Sequence, residues 1–527
     1  MHRALELPDI LHIICEHLIV TSNGEFLTNR DQAQFLQLAL TCKTFLPVAL
    51  DNLWCSMYFI TPLLRLMPTF GTKHPDSLEY VLHANPSQDI WDIFDSYAAR
   101  IRCIHLTARD RIDPSVYDAL LSWHPAPLLP NLRRLYWRGL DLSATEAALF
   151  VSPTVQRLRF MLFQYPEQDG GTLKFLKQMP ETSLEELALW GKLTPACLAV
   201  PPRFTNLRTL YVWESYGKSE EAVFDELYTA ALKMKHLTSL SLRLPLGYAY
   251  ASTEPLVLGD LEYLCLQGEI HALTQVFRAM SANQLWELGM TVDTHRCPEG
   301  DYSNLLSTLP FPNLHVLEVN TTNEDRNTLT HDHADIIEPL LSLKQLEEVQ
   351  INFPSDNVRL NDGSIESMAN AWPRLKLLRM VTYSSLMSHM HPDVAMIPRL
   401  GALVHLARRC PDLQTLQIQV NAREFPDALQ PRVSHGLRTM ELHCSPIREP
   451  QQVALWMDSV FPNITDWRQV DGFWKEEWTT VSNLLHSYRA ARTIDRGQRP
   501  RSPTSSSCAS VDPGRVHDYD SPIQFHE

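Results

Sequence analysis

The densest metal-binding side chains in the sequence are two histidine pairs, His331-Asp332-His333 and His389-Met390-His391. An H-x-H spacing on a strand puts two imidazoles on one face, within reach of one zinc ion. Neither pair has an acidic or cysteine cluster at ligand spacing, and each stands in a polar stretch, so both read as solvated loop histidines. The carboxylate pairs Glu185-Glu186 and Glu347-Glu348 would suit acid-base chemistry only if their surroundings pushed the two proton affinities apart. They recur instead at the second and third places of a repeated frame and read as exposed strand residues. No G-x-x-x-x-G-K-S/T, G-x-G-x-x-G or G-x-S-x-G occurs among 18 glycines, which leaves a phosphate cradle and a nucleophile elbow unsupported. The expectation is a protein with no catalytic residues, no metal and no cofactor.

The ten cysteines lie far apart with no C-x-x-C pair, a pattern expected of reduced core thiols in the cytoplasm or nucleus. Hydrophobic residues make up 44% of the 527 residues and aromatics 9%, enough apolar surface to drive folding. Acids outnumber bases 61 to 46, for a net charge of -15, so a nucleic-acid partner is not expected. No apolar run approaches the roughly 20 residues that cross a bilayer, and MHRALELPDILHII lacks the parts of a signal peptide, so a membrane role is not expected either.

What positions any surface in this chain is a repeat. The frame apolar-x-x-apolar-x-apolar, usually led by Pro-Asn, Pro-Asp or a like polar pair, starts at Leu132, Val155, Leu184, Leu207, Leu237, Leu261, Leu285, Leu314, Leu346, Leu375, Leu413 and Leu437. Weaker copies start at Ile101 and Ile464. Starts are separated by 23 residues (Leu132 to Val155) up to 38 (Leu375 to Leu413), room for one strand and one helix per unit. An α-solenoid would also place the first and fourth residues on one face. The sixth decides for strands: Val212, Val319, Ile351 and Ile418 are β-branched and stand two residues after the previous apolar place. Helical stretches are expected between frames, as in Ser219 to Lys235 and Asp335 to Gln345.

The frames resemble the L-x-x-L-x-L core of leucine-rich repeats from Ile101 to Val470, although the Asn or Cys that family carries a few places later is mostly missing. The resemblance implies an α/β solenoid, irregular, with parallel strands on the concave face and helices on the convex face. Repeat units of this kind bury their apolar faces only by stacking.

The first residues have another rhythm. ELPDILHIICEHLI sets Leu7, Ile10, Leu11, Ile14 and Leu18 at helical spacing behind Pro8, and a second stripe runs through Phe35, Leu38, Ala39 and Cys42 to Leu50, Leu53 and Trp54. This block resembles an F-box of the fungal type, in its Leu7-Pro8 start, its Leu36 to Phe45 helix and its Leu50 to Trp54 end. The loop from Ile19 to Gln34 is longer than that family's. Three short helices bury too little surface to stand alone. The resemblance implies a Skp-type adaptor and cullin-RING core as partners, the chain serving as substrate receptor of an SCF-type ubiquitin ligase. It implies adaptor-binding residues among Leu7, Pro8, Ile10, Leu11, Ile14, Leu18, Leu38, Leu40, Phe45, Leu53 and Trp54; which of them face the adaptor and which the internal core is left open. The alternative is a repeat scaffold whose N-terminal helices serve only as a cap.

The expected organisation is an F-box-like head over 1-56, a helical connector over 57-100, the repeats over 101-472, a capping helix over 473-494 and a disordered Ser/Pro-rich tail over 495-527. The connector's helix is expected to bury Ile90, Ile93, Phe94 and Tyr97. Side chains alternate along a strand, so the third, fifth and seventh places of each frame face outward. There stand Arg134, Tyr136, Arg138, Arg157, Arg159, Trp190, Tyr211, Trp213 and Tyr263, an arginine and aromatic set suited to a protein substrate, with arginine forks that fit acidic or phosphorylated segments. Later frames place Glu287, Glu318, Glu348, Gln350 and Gln417 outward.

Overall fold

The computed structural model describes residues 10–11, 13–15, 28–74, 77–107, 111–124, 126–139, 142–163, 170–191, 193–214, 230–232, 234–249, 255–293, 301–309, 311–322, 331–353, 358–382, 397–424, 433, 435–442, 445–468 and 474–497. Two compact units are present: 1–161 with 169–179 and 497–527, and 162–168 with 180–496.

In the first unit the head comprises helical Ile10, Leu11 and Ile13 to Cys15, then the helices Asn29–Thr41 and Leu46–Cys55. Thr28 caps the first of these in a capping box with Asp31, which satisfies two backbone donors at the helix start. The helix Leu46–Cys55 passes without a linker into strand β1 (Ser56–Met57), which pairs in parallel with β4 (Cys103–Thr107) at Ser56 and Cys103. Between them lie an antiparallel pair not expected from the residues, β2 (Phe70–Thr72) with β3 (Tyr80–Leu82), and the helix Gln88–Ala98. That helix turns inward through Trp91, Phe94 and Ala98, while Ile93 is exposed and Ile90 and Tyr97 are half-buried, so the expected inward stripe is rotated. The larger indole wins the buried side: Trp91 packs on Phe94 at 5.4 Å and donates to the Asn85 side chain at 3.2 Å. Strands β5 (Arg134–Gly139) and β6 (Arg157–Leu162) continue the order β1-β4-β5-β6. The helices Pro114–Trp123, Ala144–Phe150 and Gly171–Gln178 follow β4, β5 and β6 in sequence.

The second unit repeats the strand-then-helix order. Its parallel ladder comprises β7 (Glu186–Gly191), β8 (Thr209–Glu214), β9 (Ser239–Arg243), β11 (Tyr263–Glu269), β13 (Glu287–Asp293), β14 (Val316–Thr322), β16 (Glu348–Phe353), β18 (Leu377–Thr382), β19 (Thr415–Gln417), β20 (Thr439–Glu441) and β21 (Asp466–Arg468). Two-stranded pairs, β10 (Leu256–Val257) with β12 (Met280–Ser281) and β15 (His331–Asp332) with β17 (Val358–Arg359), stand apart from the ladder. His331 and Asp332 are therefore strand residues and His333 opens a helix, where a loop was expected; His389 and His391 lie outside the described residues. The helix Lys475–Gly497 buries Trp478, Val481 and Leu485, and the Trp478 indole donates to the Ser445 carbonyl at 2.8 Å. Of the helix expected over Ser219 to Lys235, residues 230–232 are described and helical, whereas 234 and 235, also described, are not.

Each frame is built alike. The first and fourth residues are fully buried in all twelve strong copies, from Leu132 and Leu135 to Leu437 and Met440. The second residue's carbonyl accepts two backbone N–H groups from the second and third residues of the next frame. Arg102 accepts from Arg133 and Arg134, Arg208 from Thr238 and Ser239, His315 from Glu347 and Glu348, and Arg438 from Thr465 and Asp466. This shared acceptor fixes the register at the same place from frame to frame within each unit, since a one-residue slip would turn the leucines outward. The polar pair that leads the frames has a matching role. Asn131, Asn206, Asn313 and Asn463 each stand just before a frame and donate through Nδ2 to the carbonyl two residues before the preceding one: Ala99, Thr182, Asn283 and His435, at 2.8 to 3.0 Å. Four frames are thus each tied to the preceding one by an asparagine that stands before the strand, where the Asn or Cys expected from the resemblance would follow it.

Candidate interaction surfaces

The head divides its apolar residues between a core and an outer face. Leu11, Cys15, Phe35 and Val48 form the core, with Leu38, Phe45 and Leu53 packed against it. Ile10, Ile14 and Leu40 are exposed, Leu40 at 79%. Three further exposed residues join them that were not among the expected adaptor-binding residues: Ile13, Leu36 at 55%, and Leu46. Helical periodicity marks these residues as apolar; which arc of each helix meets its neighbours depends on how the helices cross. Trp54 faces the connector, its ring 4.7 Å from Tyr97, and the Arg100 guanidinium reaches the Asp51 carboxylate and the Pro47 carbonyl. Leu7, Pro8 and Leu18 lie outside the described residues.

The candidate substrate residues fall into two sets, one on each unit. In the first unit, Arg134 and Arg138 are half-buried on β5, and on β6 Arg157 is exposed and Arg159 half-buried. Backbone bonding of Arg157 to the Arg133 carbonyl, at 2.9 Å, seats Arg157 beside Arg134. Tyr136, expected to be displayed, is buried although its place faces outward. The Arg159 guanidinium lies over its ring at 5.1 Å and the His105 ring meets it edge-on at 6.1 Å, so neighbouring strands cover it. His105 belongs to the same surface, at the fifth place of the frame starting at Ile101. Burial lowers its basicity below the ordinary histidine value, and the nearby Arg138 charge lowers it further. Tyr58, 6.4 Å from His105, and Phe59 are exposed at 43% and 47%. No repeat frame leads β1, so the sequence carried no signal for these two.

In the second unit, Trp190, Tyr211, Trp213 and Tyr263 are half-buried on the same side of the ladder. Trp190 stacks on Tyr211 with centroids 6.5 Å apart, and the Trp213 indole donates to the Ser241 hydroxyl at 2.7 Å. Burial raises the Tyr263 phenol and pushes the neighbouring Cys265 thiol up to about 11. Glu318 and Glu348 are half-buried, and Glu318 accepts from Asn320 at 2.8 Å. Glu287 and Gln417 are buried. Glu185 is exposed as expected, but Glu186 is buried on the sheet face beside Thr209, and Glu347 and Glu348 are half-buried.

Among the described residues no cluster of three or more His, Cys, Asp or Glu could hold a metal ion, and no helix is long and apolar enough to cross a membrane. No protein-family model matches the chain, and no curated protein matches it. Among solved structures it is similar to CroV588, described as a novel circular LRR protein structure, with TM-score 0.31 and 12% identity over 70% of this chain and 46% of that one. It is also similar to TLR13 in a TLR13–ssRNA13 complex, with TM-score 0.29 and 13% identity over 77% of this chain and 67% of that one. A protein from Bacteroides fragilis aligns with TM-score 0.28 and 14% identity over 54% of this chain and 76% of that one. The leucine-rich-repeat architecture stands on the strand register and the shared carbonyl acceptors, which recur frame after frame within each unit.

Proposed function

We propose that this chain is a non-catalytic adaptor that binds a protein substrate on the outer faces of its parallel strands and a Skp-type adaptor of a cullin-RING ubiquitin ligase through its head. The observation that carries the reading is the head's divided apolar surface: a small core is filled, yet Ile13, Leu36 and Leu40 remain exposed on helices too short to be stable alone. A partner that covers Leu36 and Leu40 would gain about 1.5–3 kcal/mol per fully buried side chain. The joint supports the same reading, because the head's last helix runs directly into β1, which is paired into the strands of the first unit. Rigid presentation keeps a bound substrate at high effective concentration near a ligase. None of the seven described cysteines forms a disulfide, which fits a reducing cytoplasm or nucleus.

The same joint favours a second reading, in which the head only caps the strands: β1 covers the open edge of β4. Co-expression with a Skp-type adaptor separates the two. The ligase reading expects co-purification of the adaptor with wild type and its loss in a Leu36→Asp/Leu40→Asp variant whose melting temperature is unchanged, both positions being exposed. Absence of adaptor from the wild-type preparation, or equal capture by the variant, leaves the cap reading standing.

A further inference from the structure

The second unit carries a guanidinium that its fold leaves unused. Arg379 stands at the fifth place of the frame starting at Leu375, on the outer side of β18, because Leu378 and Met380 on either side of it are buried inward. It is half-buried, and among the described residues it makes no ion pair and no side-chain hydrogen bond; its Nε is closed off from water without an acceptor. Register puts Gln350 of β16 and Gln417 of β19 beside it, one on each side at about 4.8 Å strand spacing. The next places of that row, one strand further out each way, are Glu318 and Glu441, and Glu348 stands diagonally across on β16. None of these three carboxylates pairs with Arg379. Two more polar groups at the seventh places flanking β18 lack partners. Asn352 of β16 has a buried Oδ1 that nothing donates to, and Gln419, two residues past Gln417 and 7% exposed, has a buried Nε2 without an acceptor. Buried polar groups are nearly always paired, and an unpaired charge is costlier than an unpaired amide. Two unmet donors and one unmet acceptor on neighbouring strands are the complement of a carboxylate and a backbone N–H from another chain.

We propose that the outer face of β16, β18 and β19 binds an extended segment of a protein partner through a single glutamate. Its carboxylate sits on the Arg379 guanidinium between Gln350 and Gln417, with the Gln419 amide as a further donor. An apolar side chain two residues along the segment, about 7 Å away, lies against the half-buried Leu377, which precedes Arg379 by the same spacing on β18. The inference rests on reading the strand faces as the substrate-binding surface, and it is independent of what covers the head. Charge and reach select the occupant. A guanidinium fork binds a carboxylate bidentately, and a charge-assisted bond is stronger than a neutral one. Glu318 and Glu441 close the row at both ends and would repel a second acid, so an acidic run does not fit. A half-buried guanidinium is met by a side chain reaching down from a chain laid over the strands, and glutamate reaches further than aspartate.

The test uses the full chain and saturation-transfer NMR, which reads weak binding, with a serine peptide that carries one leucine and, two residues later, one glutamate, blocked by acetyl and amide groups at its ends. One comparison probe has glutamine for the glutamate; the other has no glutamate and a free C-terminal carboxylate. The glutamate peptide is expected to bind wild type about tenfold more tightly than the glutamine peptide, which has the same shape without the charge. Arg379→Gln is expected to abolish that preference, and Arg379→Lys, which keeps the charge and loses the fork, to retain part of it. Should Arg379→Gln fail to fold, the wild-type comparison and Arg379→Lys carry the test on their own. The proposal is overturned if the glutamate peptide binds wild type no better than the glutamine peptide, if folded Arg379→Gln keeps the preference, if Arg379→Lys binds the glutamate peptide as wild type does, or if the free C-terminal carboxylate binds more tightly than the glutamate. Adaptor capture by the Arg379→Lys variant, measured in parallel, should equal that of wild type, so failure of the head reading and failure of this one give different results.

Discussion

Replacing Leu264 by alanine probes the stacking that the whole repeat depends on. Leu264 is fully buried in β11, in register with Leu240 of β9 and Leu288 of β13, so its side chain is held between two leucines of the same frame place. The change removes three carbons, a transfer loss of about 2.4 kcal/mol at about 0.8 per carbon. Strands held on both sides cannot close the gap fully, and Leu→Ala changes in such cores cost about 2.7–5 kcal/mol once the cavity is included. About 3–4 kcal/mol is therefore expected, a large share of the about 5–15 kcal/mol that holds a domain folded. Each repeat leans on its neighbours, so the loss should also reduce cooperativity, read as a shallower slope of unfolding against urea. The assay is urea unfolding followed by circular dichroism, with Glu262→Ala as control: Glu262 is the exposed second residue of the same frame and its loss should stay within about 0.5 kcal/mol. A loss below about 1 kcal/mol for Leu264→Ala, or one equal to that of Glu262→Ala, would refute the stacked-leucine account.

Gly171→Ala should cost at least about 1–3 kcal/mol, measured in the same way, because an added Cβ would lie 2.0 Å from the Leu142 carbonyl oxygen, a backbone atom that cannot swing aside. The Asp113 carboxyl is held at about 2 rather than 3.8 by the Lys73 ammonium, 2.9 Å away, and by the Ser115 backbone N–H. A depressed carboxylate stabilises the fold above its unfolded value and loses that contribution as pH falls through 3.8 to about 2, so an acid titration of the Asp113→Asn variant should run flatter than wild type in that window; parallel curves would count against the pairing. Brief alkylation near neutral pH, read by mass spectrometry, should mark Cys42 first among the described cysteines. The Phe45 backbone N–H favours its thiolate, whereas burial raises Cys15, Cys55, Cys265 and Cys410; labelling of Cys410 ahead of Cys42 would contradict this order.

The sequence by itself determined the repeat. An apolar residue at the first, fourth and sixth places recurs often enough that only stacked parallel strands bury it, and the first and fourth are buried at every strong frame. Periodicity of this kind is local, and local spacing is what a sequence displays directly. It says which side of a strand faces outward, and Arg157 is exposed on that side while Trp213 and Tyr263 are half-buried there. How far an outward residue is covered depends on side chains from adjacent strands, twenty or more residues away. Tyr136 and Glu186 were therefore read as exposed and are buried. The same distance effect rotated the helix Gln88–Ala98 onto Trp91 and Phe94, and it divided the head's leucines between core and surface, which no spacing rule could do. Only the tertiary structure placed Tyr58 beside His105, because β1 joins the sheet by pairing with a strand 47 residues further along at Ser56 and Cys103. Non-local pairing of that sort leaves no mark in the residues on either side, so which side chains come to share one face is decided by the fold alone.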